Sequence, residues 1–228
     1  MIRLTDVSKY YRSNQNVTLG LHKINLEFHP GEFAVITGES GSGKSTLLNV
    51  ISGSDSYDEG EMYIEGQETS CYDKADWEQY RREKISFIYQ NYNLIDSFTV
   101  LQNVKSALLI RIPQMDEKEA DRKALEYIRK VGLEKQAKKK ASHLSSGQKQ
   151  RLSIARALAK ETEIIVADEP TGNLDSVTGM EVIGLLKISA ERFYQTILVV
   201  THNEEIAQMA ERIIRIEDGK VTGDSDEK

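Results

Sequence analysis

One cysteine, three prolines and one tryptophan stand in 228 residues. A lone thiol, Cys71, excludes an intramolecular disulfide and fits a reducing compartment. It has no chemical partner in the sequence and reads as an incidental or partly buried side chain. No run of about 18 apolar residues occurs, so no transmembrane helix is expected. The opening residues, MIRLTDVSKYY, carry no apolar core of a signal peptide. Low-complexity tracts, repeats and obvious linkers are also missing. An excess of positive charge is absent too: 36 acidic residues outnumber 30 basic ones, for a formal charge of −6. Such a surface does not favour nucleic acid, whose binding draws on Lys and Arg, and no nucleic-acid partner is expected.

The chain is 39% hydrophobic and 29% charged, enough for one domain with a substantial core. The first third reads as strands. Ile24–Phe28 alternates, Pro30-Gly31 turns, and Phe33–Ile36 is a short apolar run before a glycine-rich loop. A helix is expected from Ser45 to Ile51, with strands at Met62–Glu65 and Ile85–Tyr89. The middle changes character. Val100–Ile110 has a helical pattern. Asp116–Val131 is a clearer helix, with Asp116 as cap, Glu119 closing a capping box and Gly132 at the C-terminal glycine position. From Asn91 to Lys160 helices and no strand are predicted. Strands then return at Ile164–Ala167, Ile197–Val200 and Arg212–Glu217, separated by helices over Ser176–Glu191 and Asn203–Ala210. Apolar β-branched strands alternating with helices imply an α/β fold with a largely parallel sheet covered on both faces. The expected layout is a single domain over 1–228. Residues 1–90 and 161–228 make a β-subdomain plus core, and 91–160 an inserted helical subdomain.

Gly38, Glu39, Ser40, Gly41, Ser42, Gly43, Lys44 and Ser45 fit the phosphate-loop pattern G-x-x-x-x-G-K-[ST], followed by Thr46. Glycines let successive N–H groups point at phosphate oxygens, and the following helix offers its positive end to the same anion. Lys44 is placed to reach the β- and γ-phosphates and Ser45 to ligate Mg²⁺. A chance match in a chain this long has a frequency of about 1%, so the motif carries weight by itself. Ile164–Glu169 is a strand ending in two carboxylates. Asp168 suits Mg²⁺, and Glu169 suits polarising a water. Alone this second motif is weak, because many strands end in acids; with the loop it becomes strong.

Leu144, Ser145, Ser146, Gly147 and Gln148, followed by Lys-Gln-Arg-Leu-Ser-Ile-Ala-Arg-Ala-Leu-Ala, resemble the signature of the ATP-binding cassette (ABC) family, L-S-G-G-Q. The resemblance runs from about Ile2 to Val221 and implies a P-loop ATPase with a mostly parallel core sheet, an N-terminal antiparallel β-subdomain and the helical insert. It implies that Tyr11 stacks on adenine, with Tyr10 its adjacent competitor. It makes Gln90 the glutamine that senses Mg²⁺ and water, Leu174-Asp175 the D-loop, and His202 the switch histidine on the γ-phosphate. Glu169, His202 and Lys44 become the catalytic set, and Ser45, Gln90 and Asp168 the metal set. ATP and Mg²⁺ are the implied cofactors. In this family the signature lies far from its own subunit's loop, so a head-to-tail homodimer is implied, each signature closing its partner's site.

Ser146 replaces a glycine of the usual signature. If that position needs φ > 0, serine is strained there; if it is a helical or N-cap position, serine is tolerated, and the second is expected. His22, His29 and His143 lack such contexts and receive no role. The basic stretch Lys135–Lys140 reads as a solvated loop, and the acidic tail Asp224–Glu227 as a frayed terminus. Ala167–Ser176 and Tyr89–Leu94 resemble the ATPases of macrolide exporters, lipoprotein-releasing complexes and antimicrobial-peptide resistance transporters. That resemblance implies a cytoplasmic subunit held on the inner face of the cell membrane by an integral permease. The cell-division ATPase that regulates wall hydrolases shares the Thr171–Asp175 stretch and is the alternative, a force transmitter and not a transporter.

Overall fold

The computed structural model describes residues 1–13 and 16–226. Glu227, the last residue of the acidic tail, lies outside them. A four-stranded antiparallel sheet has the order β2-β1-β4-β5, built from β1 (Ile2–Arg12), β2 (Val17–Phe28), β4 (Glu59–Ile64) and β5 (Gln67–Glu68). The second sheet has six strands, in the order β10-β9-β3-β8-β7-β6. These are β3 (Phe33–Thr37), β6 (Ile85–Tyr89), β7 (Ile164–Asp168), β8 (Thr196–Val200), β9 (Arg212–Glu217) and β10 (Lys220–Asp224). Its strands pair in parallel from β9 through β6, and β10 closes one edge antiparallel.

Burial on both faces explains the continuous apolar runs of β3, β7 and β8. Alternate residues go to opposite faces. Phe33, Val35, Ile165, Ala167, Ile197 and Val199 join one core, under α3 (Val100–Arg111), α4 (Glu117–Lys130), α5 (Ser146–Ala159) and α6 (Ser176–Phe193). Ala34, Ile36, Val166, Leu198 and Val200 join the other, against α1 (Lys44–Ile51), α2 (Lys74–Glu83) and the antiparallel sheet. A short α7 (Glu204–Ala207) precedes β9. Among the described residues between 91 and 160, β pairing is limited to one isolated bridge, Thr99 to Lys140.

Several expectations need correction. α2 was not anticipated; Asp73 caps it and Asp76 completes the box. Asp116 does cap α4, accepting from the Lys118 and Glu119 amides, but the carboxylate of Glu119 does not return to close a box and lies 4.0 Å from the Lys123 amine. Gly132 has φ 72° and ends α4 as expected. Cys71 is exposed and not partly buried. The acidic tail is not frayed at its start: Asp224 ends β10 and binds Arg212, because a nearly buried guanidinium needs a counter-charge.

Candidate nucleotide site

β3 ends at Thr37 and the chain turns through left-handed glycines. Gly38 has φ 151° and Gly43 φ 108°. A Cβ at Gly38 would lie 2.1 Å from the Ile216 carbonyl, and one at Gly43 would lie 2.5 Å from the Gly20 carbonyl. The loop is therefore walled by β9 and β2, and only glycine fits those two places. Glu39, Ser40, Gly41 and Ser42 line the mouth of a cleft of about 860 Å³ that also touches His202, Arg215 and Glu217.

Three observations fit this loop to a phosphate chain. α1 starts at Lys44 with no acidic residue in its first turn and no side-chain cap, so no side chain compensates the positive end of the helix. Lys44 is buried, and its amine donates to the carbonyls of Gly38 (2.8 Å) and Glu39 (2.6 Å); among the described residues no carboxylate pairs with it. The Ser42 hydroxyl is buried with no hydrogen-bond partner among the described residues.

The Ser45 hydroxyl donates to Asp168 Oδ1 at 3.1 Å, across from α1 to the end of β7. Burial lifts the Asp168 carboxyl above its ordinary pKa, and the neighbouring Glu169 charge adds to this; the Ser45 bond and Lys44 offset part of it. A half-buried carboxylate short of positive charge, beside a hydroxyl, suits a divalent cation. Among the described residues no three acidic or histidine groups cluster as a full ligand set. The oxygen donors of Ser45 and Asp168 fit Mg²⁺, which keeps waters and takes phosphate oxygens for its remaining positions.

Glu169 follows with φ 45°, a left-handed backbone at a non-glycine residue. Its amide donates to the Val200 carbonyl at 2.9 Å. Its carboxylate lies 2.8 Å from His202 Nδ1 and accepts from the Thr201 hydroxyl at 3.3 Å. His202 is exposed, so the pair stands at the surface of the site.

Tyr11 is 40% exposed and lies over the start of α1, its hydroxyl 3.0 Å from Asp55 and 3.4 Å from the Thr46 hydroxyl. Tyr10 points elsewhere, to Glu59. Gln90 directly follows β6. Its carbonyl accepts from Asn173 at 3.0 Å, and its side-chain amide lies where a Cβ on Gly172 would be 2.7 Å away. Among the described residues no hydrogen bond joins the Gln90 side chain to Ser45 or Asp168. The structure thus brings two of the three expected metal residues together and places the third beside Gly172.

Leu144 is buried. Ser145 caps α5, its hydroxyl accepting from the Gln148 amide while the Gln148 side chain accepts from the Ser145 amide. Ser146 is the first residue of α5 and is not left-handed, which explains why serine is tolerated there. Gly147 packs where a Cβ would be 3.1 Å from Thr178. Among the described residues no hydrogen bond joins this segment to the loop at Gly38–Thr46. Leu174 packs against the core under α3–α6, and Asp175 caps α6 by accepting from Thr178. Sequence reasoning missed Thr201, Asn173 and Gly172 as neighbours of these groups. Their positions just before His202 and just after Glu169 were the available signal.

A family model described as ABC transporter matches residues 21–172. The ABC transporter ATP-binding protein MJ0796 of Methanocaldococcus jannaschii is 44% identical over 223 residues, covering 97% of this chain and 95% of that protein. The macrolide export ATP-binding/permease protein MacB of Azoarcus sp. is 40% identical over 225 residues, covering 98% of this chain and 34% of MacB. A solved structure of the MJ0796 cassette, a dimer in a post-hydrolysis state bound to ADP and Pi, superposes with a TM-score of 0.92 at 41% identity, covering 99% of this chain and 98% of that one.

Proposed function

The chain belongs to the ABC transporter family as one of its ATP-hydrolysing subunits, and from that premise we propose that it works as an ATP-dependent head-to-tail homodimer driving a separate membrane permease. The observation that carries this reading is the presence on one chain of two motif-bearing helix N-termini with no acidic charge in their first turns, α1 without a side-chain cap and α5 capped only by the neutral Ser145. Each is an anion seat. No hydrogen bond joins them among the described residues, so the second seat is left for a nucleotide held by another copy. The MJ0796 cassette, solved as a dimer bound to ADP and Pi, supports assembly of two copies. Val177 and Met180, exposed just after Asp175, supply apolar surface where such copies would meet.

In this reading Tyr11 stacks on the base and the Gly38–Thr46 loop cradles the phosphates. Ser45 and Asp168, with Gln90, would hold Mg²⁺, which would neutralise phosphate charge. Glu169 orients the attacking water by accepting its proton, and His202 holds that carboxylate in place at 2.8 Å. Lys44 exchanges its two carbonyl partners for phosphate oxygens and stabilises the charge that develops on them. The helices between 91 and 160 form an arm that presents Ser145–Gln148 to the partner. Exposed Ile95 and Phe98 at the arm's entry give a permease helix an apolar foothold on the inner face of the membrane. Among the described residues no helix is long and apolar enough to cross a membrane. The MacB relatives, named for macrolide export, support an export or extraction role in which the permease selects the cargo.

The test is size-exclusion chromatography of Glu169→Gln with and without Mg-ATP. A shift from monomer to dimer only with ATP is expected. A variant that binds ATP and stays monomeric at every concentration would sink the shared-site reading.

A further inference from the structure

The segment after Gln90 carries two consecutive left-handed residues, Tyr92 (φ 61°) and Asn93 (φ 48°), neither of them glycine. An aromatic residue in this region is an outlier, and such backbone persists only where its surroundings over-determine it. Local hydrogen bonds from the Tyr92 amide to the Tyr89 carbonyl (3.0 Å) and from the Asn93 amide to the Asn91 carbonyl (2.6 Å) shape the turn. The side chain that holds it from outside is Arg156, on α5. One guanidinium nitrogen donates to the Tyr92 carbonyl at 3.0 Å and another to the Asn93 carbonyl. Among the described residues no carboxylate pairs with Arg156, and its burial lowers its pKa from the ordinary arginine value, so this cation is committed to two backbone oxygens.

The same segment is gripped on both sides of that point. Asn173 donates to the Gln90 carbonyl at 3.0 Å. Asn103 of α3, fully buried, accepts from the Ile95 amide (2.9 Å) and donates to the Ile95 carbonyl (3.1 Å). Arg156 alone of the three comes from the helix that begins at Ser145–Ser146.

We propose that Arg156 is a positioning residue that latches the left-handed Tyr92–Asn93 turn, thereby setting where Gln90 stands and making it move together with the signature end of α5. This rests on the roles given to Gln90 and the signature under the proposed function. A planar fork that donates in two directions fits two neighbouring carbonyls; a lysine ammonium is a single point charge on a flexible stem and does not reproduce that geometry. The latch does not touch nucleotide, so its loss misplaces the water- and metal-facing groups while leaving ATP affinity intact.

The experiment is a turnover and stability comparison of the full chain, Arg156→Lys, Asn93→Gly, the double variant, and Asn93→Val, at saturating Mg²⁺ and varied ATP. Arg156→Lys is expected to lower kcat about tenfold with KM for ATP changed less than about twofold. Glycine occupies positive φ without strain, so Asn93→Gly in the Arg156→Lys background is expected to recover roughly threefold or more of that loss. Asn93→Val opposes the turn while leaving Arg156 in place, and is expected to reproduce the fall in kcat even where Arg156→Lys does not fold. A fall in Tm with parental kcat in Arg156→Lys, no recovery on adding Asn93→Gly, or parental kcat in Asn93→Val each overturns the latch. A parent chain that neither turns over ATP nor closes as a dimer would instead overturn the functional reading, and the latch with it.

Discussion

Arg212, at the start of β9, is 8% exposed, and its guanidinium has three protein partners. It grips both Asp224 oxygens, at 2.8 and 2.5 Å, and donates to Glu32 at 2.9 Å and to the Glu27 carbonyl at 2.7 Å. The Asp224 and Glu32 side chains are only 5% and 11% exposed. This cluster pins the last strand to the sheet, and the β9–β10 turn is a wall of the phosphate loop: the Gly219 amide donates to the Ser42 carbonyl at 2.8 Å. Arg212→Met keeps the apolar stem and strands two nearly buried carboxylates. Removing one partner of a buried pair costs about 3–5 kcal/mol, a large share of a typical total of about 5–15 kcal/mol. For a chain of this size that lowers Tm by roughly 6–20 °C. Urea unfolding monitored by circular dichroism measures it. Burial pushes the Asp224 carboxyl up, and the Arg212 bonds more than reverse this, leaving it below its ordinary value. A depressed carboxyl stabilises the fold above its unfolded pKa, and that stabilisation is lost as pH falls through the folded one. The gap between parent and Arg212→Met is therefore largest near neutrality and narrows in acid. Adding Asp224→Asn to the Met variant is expected to recover part of the loss. A cost under about 1 kcal/mol, or strict additivity of the two changes, would refute the reasoning.

Two further outcomes are expected from the nucleotide site. Lys44→Ala removes the buried amine that meets the phosphates, and ATP turnover is expected to fall about a hundredfold or more; parental turnover would remove the loop assignment. Asp168→Asn is expected to abolish turnover yet raise Tm in the absence of nucleotide. The raised pKa of Asp168 means that its ionised form is disfavoured in the fold. That deficit is absent below the unfolded pKa and grows as pH rises through the folded one, so the gain in Tm is expected at pH 7 and to shrink on acidification. Differential scanning calorimetry at both pH values decides it, and a lower Tm at pH 7 would count against the electrostatic account.

The parallel strands and the glycine loop were legible because their signals are local: apolar β-branched runs, and glycines where a Cβ has no room, as at Gly38 and Gly43. The hairpin formed by β9 and β10 was equally local and was passed over. Asp218-Gly219 is an Asp-Gly pair with φ 47° and 75°, a two-residue turn between alternating strands. α2 was missed because its box uses Asp76 in place of the usual Glu or Gln, within a stretch that otherwise read as strands. β1 was missed because register shifts break its alternation and Asp6 turns left-handed at φ 50°. Its partners lie on β2 and β4, contacts that its own residues do not announce.

The left-handed backbone at Glu169 had no sequence signal, yet it explains how two adjacent carboxylates serve different ends. In an extended strand, successive side chains point to opposite faces. Asp168 uses its position at the end of β7 to face Ser45 on α1. An extended Glu169 would turn toward the opposite core, where the last β7 residue on that face, Ala167, is fully buried among helices. The kink at φ 45° sends it sideways instead, toward the end of β8, where Val200 takes its amide and Thr201 and His202 meet its carboxylate. β7 and β8 are in parallel register, with Asp168 opposite Val200, so the residues following each strand are brought side by side. The strain at Glu169 is held by that neighbouring strand end, and it separates the carboxylate suited to the cation from the one suited to water by backbone geometry and not by distance along the chain.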